Sequence, residues 1–138
     1  MQFHQGRLID HVHIRVSNLE DSKEFYRKIL PSVRREITGE SDYYFAAEEL
    51  FVTADGQPTQ NFHLAFQADS PEMVQRFHSA GLATGGTDNG APGERSQYHP
   101  GYYGAYILDP DGNNIEAVYH GPAERSAESV VITAELPQ

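Results

Sequence analysis

His11-Val12-His13-Ile14-Arg15-Val16 reads as the same strand as His63-Leu64-Ala65-Phe66-Gln67-Ala68, 52 residues further on. The same shift lays Phe25 on Phe77 and Leu30 on Leu82. Both copies read as strand, then helix, which marks a duplicated supersecondary unit. Side chains alternate along a strand. In the first copy Val12, Ile14 and Val16 share one face, and His11, His13 and Arg15 share the other. In the second, Phe62, Leu64 and Phe66 oppose His63, Ala65 and Gln67.

Working outward, each strand is followed by a helical pattern. Ser17 and Glu20 have capping-box spacing. Leu19, Phe25, Tyr26 and Ile29 recur at helical intervals, and Pro31 stops the run. In the second copy Ser70 is the expected N-cap, Pro71 suits the first turn and Gly81 the C-terminal cap. Met73, Val74 and Phe77 form its apolar stripe, with Met73 as core filler. Strand-like stretches come next, at 33–38, 43–47 and 49–53 in the first half and at 102–108 and 114–120 in the second. Asp109-Pro110-Asp111-Gly112 has hairpin-turn chemistry. The Gly-rich stretch 83–101 reads as short irregular strands plus a loop. The expected fold is α+β, with two tandem βαβββ modules at about 8–56 and 60–121 in one domain spanning 1–122. Residues 123–138 read as a C-terminal tail, in which Val130-Val131-Ile132 suits an extra edge strand or contact with a partner.

The bulk composition narrows the function. The chain has 138 residues, 38% hydrophobic and 22% charged, as expected of one globular domain with a real core. A formal charge of −10 argues against nucleic acid, whose phosphates need clustered Lys and Arg. No apolar run is long enough to span a bilayer and no leader pattern opens the chain, so no membrane partner is expected. The absence of cysteine excludes disulfides and thiolate chemistry and is compatible with the cytoplasmic location we expect. No phosphate-binding Gly loop follows a strand.

What remains is a set of three. In the last strand Asn114, Glu116 and His120 oppose Ile115, Ala117 and Tyr119. His11, His63 and Glu116 therefore all lie on faces that the helices leave free. Two imidazoles and a carboxylate make up a ligand set for a divalent transition metal with open coordination positions. Taken singly, each is an ordinary polar residue on the wet face of a half-buried sheet. In phase, they point into one cavity if the sheet curls.

The pattern resembles the vicinal oxygen chelate superfamily, which includes glyoxalase I, fosfomycin-resistance enzymes, extradiol dioxygenases and bleomycin-resistance proteins. The resemblance covers about residues 8–120 and rests on three pieces. They are Ile9-Asp10-His11-Val12 leading into the stretch 17–26, Phe62-His63-Leu64-Ala65-Phe66, and Leu108-Asp109-Pro110-Asp111-Gly112-Asn113-Asn114-Ile115-Glu116. It implies a half-open barrel around a metal held by the residues matching His11, His63 and Glu116. It also implies chelation of a substrate through adjacent oxygens, with the metal as Lewis acid. Glyoxalase I relatives usually add a fourth ligand, a Glu. Register puts that position near Phe51, and Glu49 reaches it only after a small shift. The run from His99 to Tyr106 before Glu116 is similar to the extradiol-dioxygenase signature, although Ala105 and Gln97 depart from it. That similarity suggests His99 and Tyr106 as catalytic groups. His13, sharing the face of His11, is a candidate substrate contact. So is Arg15, where glyoxalase I relatives place an Arg, and so is Tyr102, on the parity of Tyr106 and Glu116.

The expectation is a metal-dependent enzyme acting on a small substrate with vicinal oxygens, leaning to a three-ligand, dioxygenase-like site. Fe2+ is the favoured ion, with Mn2+, Ni2+ and Zn2+ as alternatives. A glyoxalase-like lyase or isomerase is the second version. A metal-free binding protein of the bleomycin-resistance type is the alternative from another class, and the charge of −10 and 8 Tyr suit it. Members of this size often dimerise, and a homodimer is expected here.

Overall fold

The structure, a computed structural model, describes residues 2–5, 8–122 and 130–133. Its strands and helices run in the order β1 (Gln2–Gln5), β2 (Val12–Arg15), α1 (Leu19–Ile29), a 3-10 turn (Leu30–Val33), β3 (Gly39–Glu40), β4 (Tyr44–Ala47), β5 (Leu50–Thr53), β6 (His63–Gln67), α2 (Pro71–Ala83), β7 (Thr87–Glu94), β8 (Tyr103–Leu108), β9 (Asn114–Tyr119) and β10 (Val130–Thr133). Two four-stranded mixed sheets result, ordered β2-β5-β4-β3 and β6-β9-β8-β7. In each, the strand before the helix lies parallel to the last strand of its module. This is the tandem βαβββ arrangement, and the two sheets do not close on one another.

Several local expectations shift. Asn18, not Ser17, caps α1, accepting from the Asp21 amide at 3.1 Å. Asn is as good a cap as Ser, and the Ser17 amide is already taken by the Asp111 carboxylate at 3.2 Å. α1 ends at Ile29, ahead of Pro31 as expected, and a 3-10 turn carries the chain on, because its first turn needs no amide from the proline. That segment and the left-handed Arg34 (φ 61°) replace the start of the strand expected over 33–38. Gly81 lies inside α2 rather than at its end. A Cβ there would come within 3.0 Å of Ile107, so the glycine serves close helix–sheet approach. Much of the stretch 83–101 is a genuine strand, β7, whose register slips twice against β8, between Asp88 and Gly90 and between Gly90 and Gly93. Those slips hide its alternation from a period-two reading. The segment 130–133 pairs antiparallel with Gln2–Gln5, and the rest of the tail lies outside the described residues.

Burial follows the duplicated pattern. Phe25 and Phe77, the residues that the repeat superposes, are both fully buried. Each contributes roughly 1.5–3 kcal/mol through removal of its ring from water. Their helices pack on each other and on the apolar faces of both sheets, with Ile14, Val52 and Phe45 from one and Ile107, Ile115 and Ala117 from the other. Tyr26 packs on Phe45 at 5.6 Å between ring centroids. The second superposition fails, since Leu30 is buried and Leu82 is exposed. Because both sheets turn their apolar faces to one helical layer, the opposite faces, with the candidate ligands, point away from it. No helix among the described residues is long and apolar enough to cross a membrane.

The turn 109–113 joins the halves. The buried Asp109 carboxylate accepts from the amides of Asp111 and Asn113, both at 2.9 Å, and from the Tyr26 hydroxyl of α1 at 3.4 Å. Burial raises the Asp109 pKa, and the two turn amides partly oppose that. Asn113 accepts from the Phe62 amide and donates to the Thr59 carbonyl, anchoring the linker between modules. Replacing Asp109 with Ala orphans two turn amides and a buried phenol. We expect Asp109→Ala to lower the unfolding free energy by about 1–3 kcal/mol, read from urea denaturation. An unchanged midpoint would show that the turn holds without its carboxylate.

Candidate metal centre

Glu116 sits at the middle of β9, flanked by β6 and β8, opposite Ala65 on one side and Tyr106 on the other. Strand alternation then places His63, Glu116, Tyr102, Gly104 and Tyr106 on one face of the second sheet. The His63 Nε2–H donates to Glu116 Oε1 at 2.8 Å, and the Tyr102 hydroxyl donates a short hydrogen bond to Oε2. Gly104 makes room for this, because a Cβ there would lie 3.2 Å from Oε2 and 3.3 Å from the Tyr102 ring. Tyr106 lies beside His63, ring centroids 6.1 Å apart.

The electrostatics are unusual. Glu116 is 2% exposed, and among the described residues no Lys or Arg pairs with it. A buried carboxylate served only by an imidazole and a phenol is poorly compensated. A divalent cation in front of His63 and Oε1 would compensate it, and the donor chemistry fits. Burial raises the phenol pKa values of Tyr102 and Tyr106, and the neighbouring Glu116 adds to both, with Tyr106 pushed up to about 12. Both phenols are therefore proton donors at neutral pH.

His11 is elsewhere. It precedes β2 on the first sheet, its side chain is 64% exposed, and its Nδ1 bonds the Asp10 carboxylate at 2.7 Å. Among the described residues no three His, Asp or Glu side chains converge as a metal cage. One chain thus brings together His63 and Glu116 but not His11. Next to His11, the His13 Nε2 bonds Thr53 Oγ1 at 2.8 Å, and Arg15 pairs with Asp55 at 3.1 Å. The Asp55 pKa is lowered, first by the Thr53 hydroxyl and then by Arg15. The position matching Glu116 in the first sheet is Phe51, opposite His13 and packed on it at 5.1 Å. Glu49 falls in the turn before β5 rather than on the strand.

His99 stands behind Tyr102, rings 5.4 Å apart, without touching Glu116. Its Nδ1 faces the Pro100 carbonyl at 2.9 Å and its Nε2 faces His120 Nδ1 at 2.9 Å. A carbonyl only accepts, so neutral His99 carries its proton on Nδ1 and receives one from His120. His120 and Tyr98, whose ring lies 4.8 Å from Tyr102, were not singled out by sequence. His120 lies just past the end of β9, and Tyr98 lies in an irregular turn where alternation gives no signal.

Raised phenol pKa values carry a sign. A group whose folded pKa exceeds its unfolded one contributes stability below the unfolded value and loses it as pH rises through the folded value. Tyr102, Tyr106 and Tyr26, the last raised by burial and Asp109, should therefore cost stability from about pH 10 upward. Absorbance titration of the metal-free protein should show late-ionising tyrosines, and Tyr102→Phe should remove one of them. Retention of the full late amplitude in that variant would contradict the assignment.

Comparison with known proteins agrees with this architecture. The family model described as Glyoxalase/Bleomycin resistance protein/Dioxygenase superfamily matches residues 8–117. A glyoxalase/bleomycin resistance protein from Albidiferax ferrireducens T118 is 35% identical, with 80% of this chain and 98% of that one covered and a TM-score of 0.71. A glyoxalase/bleomycin resistance protein/dioxygenase family enzyme from Burkholderia phytofirmans PsJN is 20% identical, covering 79% and 95%, with a TM-score of 0.63. A lactoylglutathione lyase from Agrobacterium tumefaciens is 18% identical, covering 81% and 92%, with a TM-score of 0.59. The last two likenesses concern the fold alone. No curated protein matches the chain.

Proposed function

The chain belongs to the Glyoxalase/Bleomycin resistance protein/Dioxygenase superfamily, and from that premise we propose that it is a metal-dependent enzyme acting on a small molecule with adjacent oxygens. The observation that carries this reading is the buried Glu116 carboxylate, 2.8 Å from His63 and with no Lys or Arg beside it among the described residues. Two ligands come from this pair, and His11 is the third. The favoured ion is Fe2+, with Mn2+, Ni2+ and Zn2+ as alternatives. When bound, it would supply Lewis-acid polarisation of the two substrate oxygens.

The protein's own groups do the rest. Tyr102 holds Oε2, so that Oε1, beside His63, would be the carboxylate oxygen offered to a metal; this makes Tyr102 a positioning residue in addition to a wall of the substrate site. Tyr106 borders the same pocket and donates a proton rather than accepting one at neutral pH. His99, fed by His120, is the nearest imidazole behind Tyr102 and is the acid/base candidate. His13 and Arg15 contact substrate from the first sheet. Phe51 stands where a fourth ligand would be, and this supports a three-ligand, dioxygenase-like site over a glyoxalase-like lyase.

A homodimer solves the separation of His11. The ligand faces of the two sheets point away from the helical layer, so a two-fold axis sets the first sheet of one protomer against the second sheet of its partner. Each dimer then holds two sites, each completed by His11 of the other protomer.

Anaerobic reconstitution followed by metal analysis tests both statements. Wild type should bind one metal per chain, and His11→Ala, His63→Ala and Glu116→Ala should each lose at least about tenfold in affinity. Mixed dimers of His11→Ala with Glu116→Ala should regain one site per dimer, because one pair of faces remains intact. Equal metal content in wild type and Glu116→Ala would sink the metal reading. No recovery in the mixed dimer would place the site within one chain. Binding of a cationic drug by protein that takes up no metal would favour the binding-protein alternative.

A further inference from the structure

Arg95 follows the bulged strand β7 and shares the face of Glu116. Its amide donates to the Tyr102 carbonyl at 2.8 Å, continuing the β7–β8 pairing of Gly93 with Gly104. Alternation then puts its side chain on the face of Gly93, Gly104, Tyr106 and Glu116. The guanidinium carbon lies 5.6 Å from the Tyr106 ring centroid, and His63 lies 6.1 Å from the same ring. The guanidinium and the His63 imidazole thus both lie against Tyr106.

The guanidinium is held in place by backbone. Its Nη2 donates to the Ala91 carbonyl at 2.7 Å, and its Nη1 reaches the Glu94 carbonyl at 3.5 Å. Two glycines clear its bed. A Cβ on Gly93 would lie 2.9 Å from Nη1, and one on Gly90 would lie 2.7 Å from the Tyr106 ring. Five described cations, Arg15, Lys23, Arg27, Arg34 and Arg35, each have a carboxylate within 4 Å. Lys28 and Arg76 are exposed on the outer faces of their helices. Arg95 is half-buried, and among the described residues no carboxylate pairs with it. In a chain of charge −10, Arg95 is thus a cation on the face of Glu116 that no described carboxylate neutralises.

We propose that Arg95 is the anchor for a carboxylate on the substrate, so that the site takes a small oxygenated acid: adjacent oxygens at His63 and Glu116, a short or aromatic body over Tyr106, and a carboxylate at the guanidinium. The planar guanidinium has five donors, and the two backbone carbonyls leave an edge for a bidentate carboxylate. The stack on Tyr106 holds the plane ready and reduces the side-chain ordering lost on binding. Arg15, the cation that the family resemblance offers for this role, already faces Asp55.

This inference rests on the proposed metal-dependent function for the placement of the oxygens, but its test separates the two. Wild type, Arg95→Gln and Arg95→Lys are titrated calorimetrically with 3,4-dihydroxybenzoate and with catechol, each with and without Mn2+. Wild type should prefer the carboxylated probe by about tenfold or more, the scale of a charge-assisted hydrogen-bonded pair. Arg95→Gln should abolish that preference while leaving catechol binding unchanged, and Arg95→Lys should keep part of it. Failure of the metal reading appears as no effect of Mn2+ on either probe, and the Arg95-dependent preference then still stands or falls by itself. Wild type that binds the acid no better than catechol, or binds neither, overturns the proposal. So does an undiminished preference in Arg95→Gln, with which Arg95 would only be tying the β7 bulge.

Discussion

The Asp109 carboxylate, buried and shared between two turn amides and the Tyr26 hydroxyl, is the constraint on which the rest depends. It fixes the turn from which β9 departs, and β9 carries Glu116. Through Tyr26 it ties that turn to α1, and through Asn113 to the linker that starts β6 and His63. A single polar hub thus sets the register between the two strands that bring His63 and Glu116 together. The hub is buried, so each of its bonds is costly to lose, and the geometry that it enforces is correspondingly sharp.

The same packing decides what one chain leaves undone. Both helices lie between the apolar faces of the two sheets, and this arrangement buries Phe25 and Phe77 in one continuous core. The consequence is that the ligand faces turn outward. The second sheet gathers an imidazole, a carboxylate and a row of phenols, and the first presents His11, His13 and Phe51. Within one chain the two surfaces are separate in space.

Much of this was legible in the sequence. The repeat at 52 residues identified both modules, and strand alternation placed His63, Glu116, Tyr102 and Tyr106 on a common face. The Asp-Pro-Asp-Gly turn and the Ser70 cap read correctly because each depends on only a few neighbouring residues. Other features failed because contacts distant in sequence, or bulges, decided them. Asn18 is the cap in place of Ser17 because its side-chain oxygen accepts from the Asp21 amide, while Asp111, 94 positions from Ser17, takes the Ser17 amide that a capping box would use. Gly81 looked like a helix end because close approach to Ile107 leaves no trace in local sequence. Strand β7 was legible only as short irregular strands, and Arg95 gave no signal, because bulges break the alternation by which strands are recognised.

The duplicated fold, the apolar face of each strand and the residue types proposed as metal ligands could be read from the order of the amino acids. These follow from periodicity, which is a property of neighbouring residues. That His63 and Glu116 meet while His11 stands apart, that Tyr102 braces the carboxylate, and that Arg95 lies over Tyr106 came from the folded chain alone. Those outcomes depend on how two sheets share one helical layer and on where a strand slips, and long-range packing sets both.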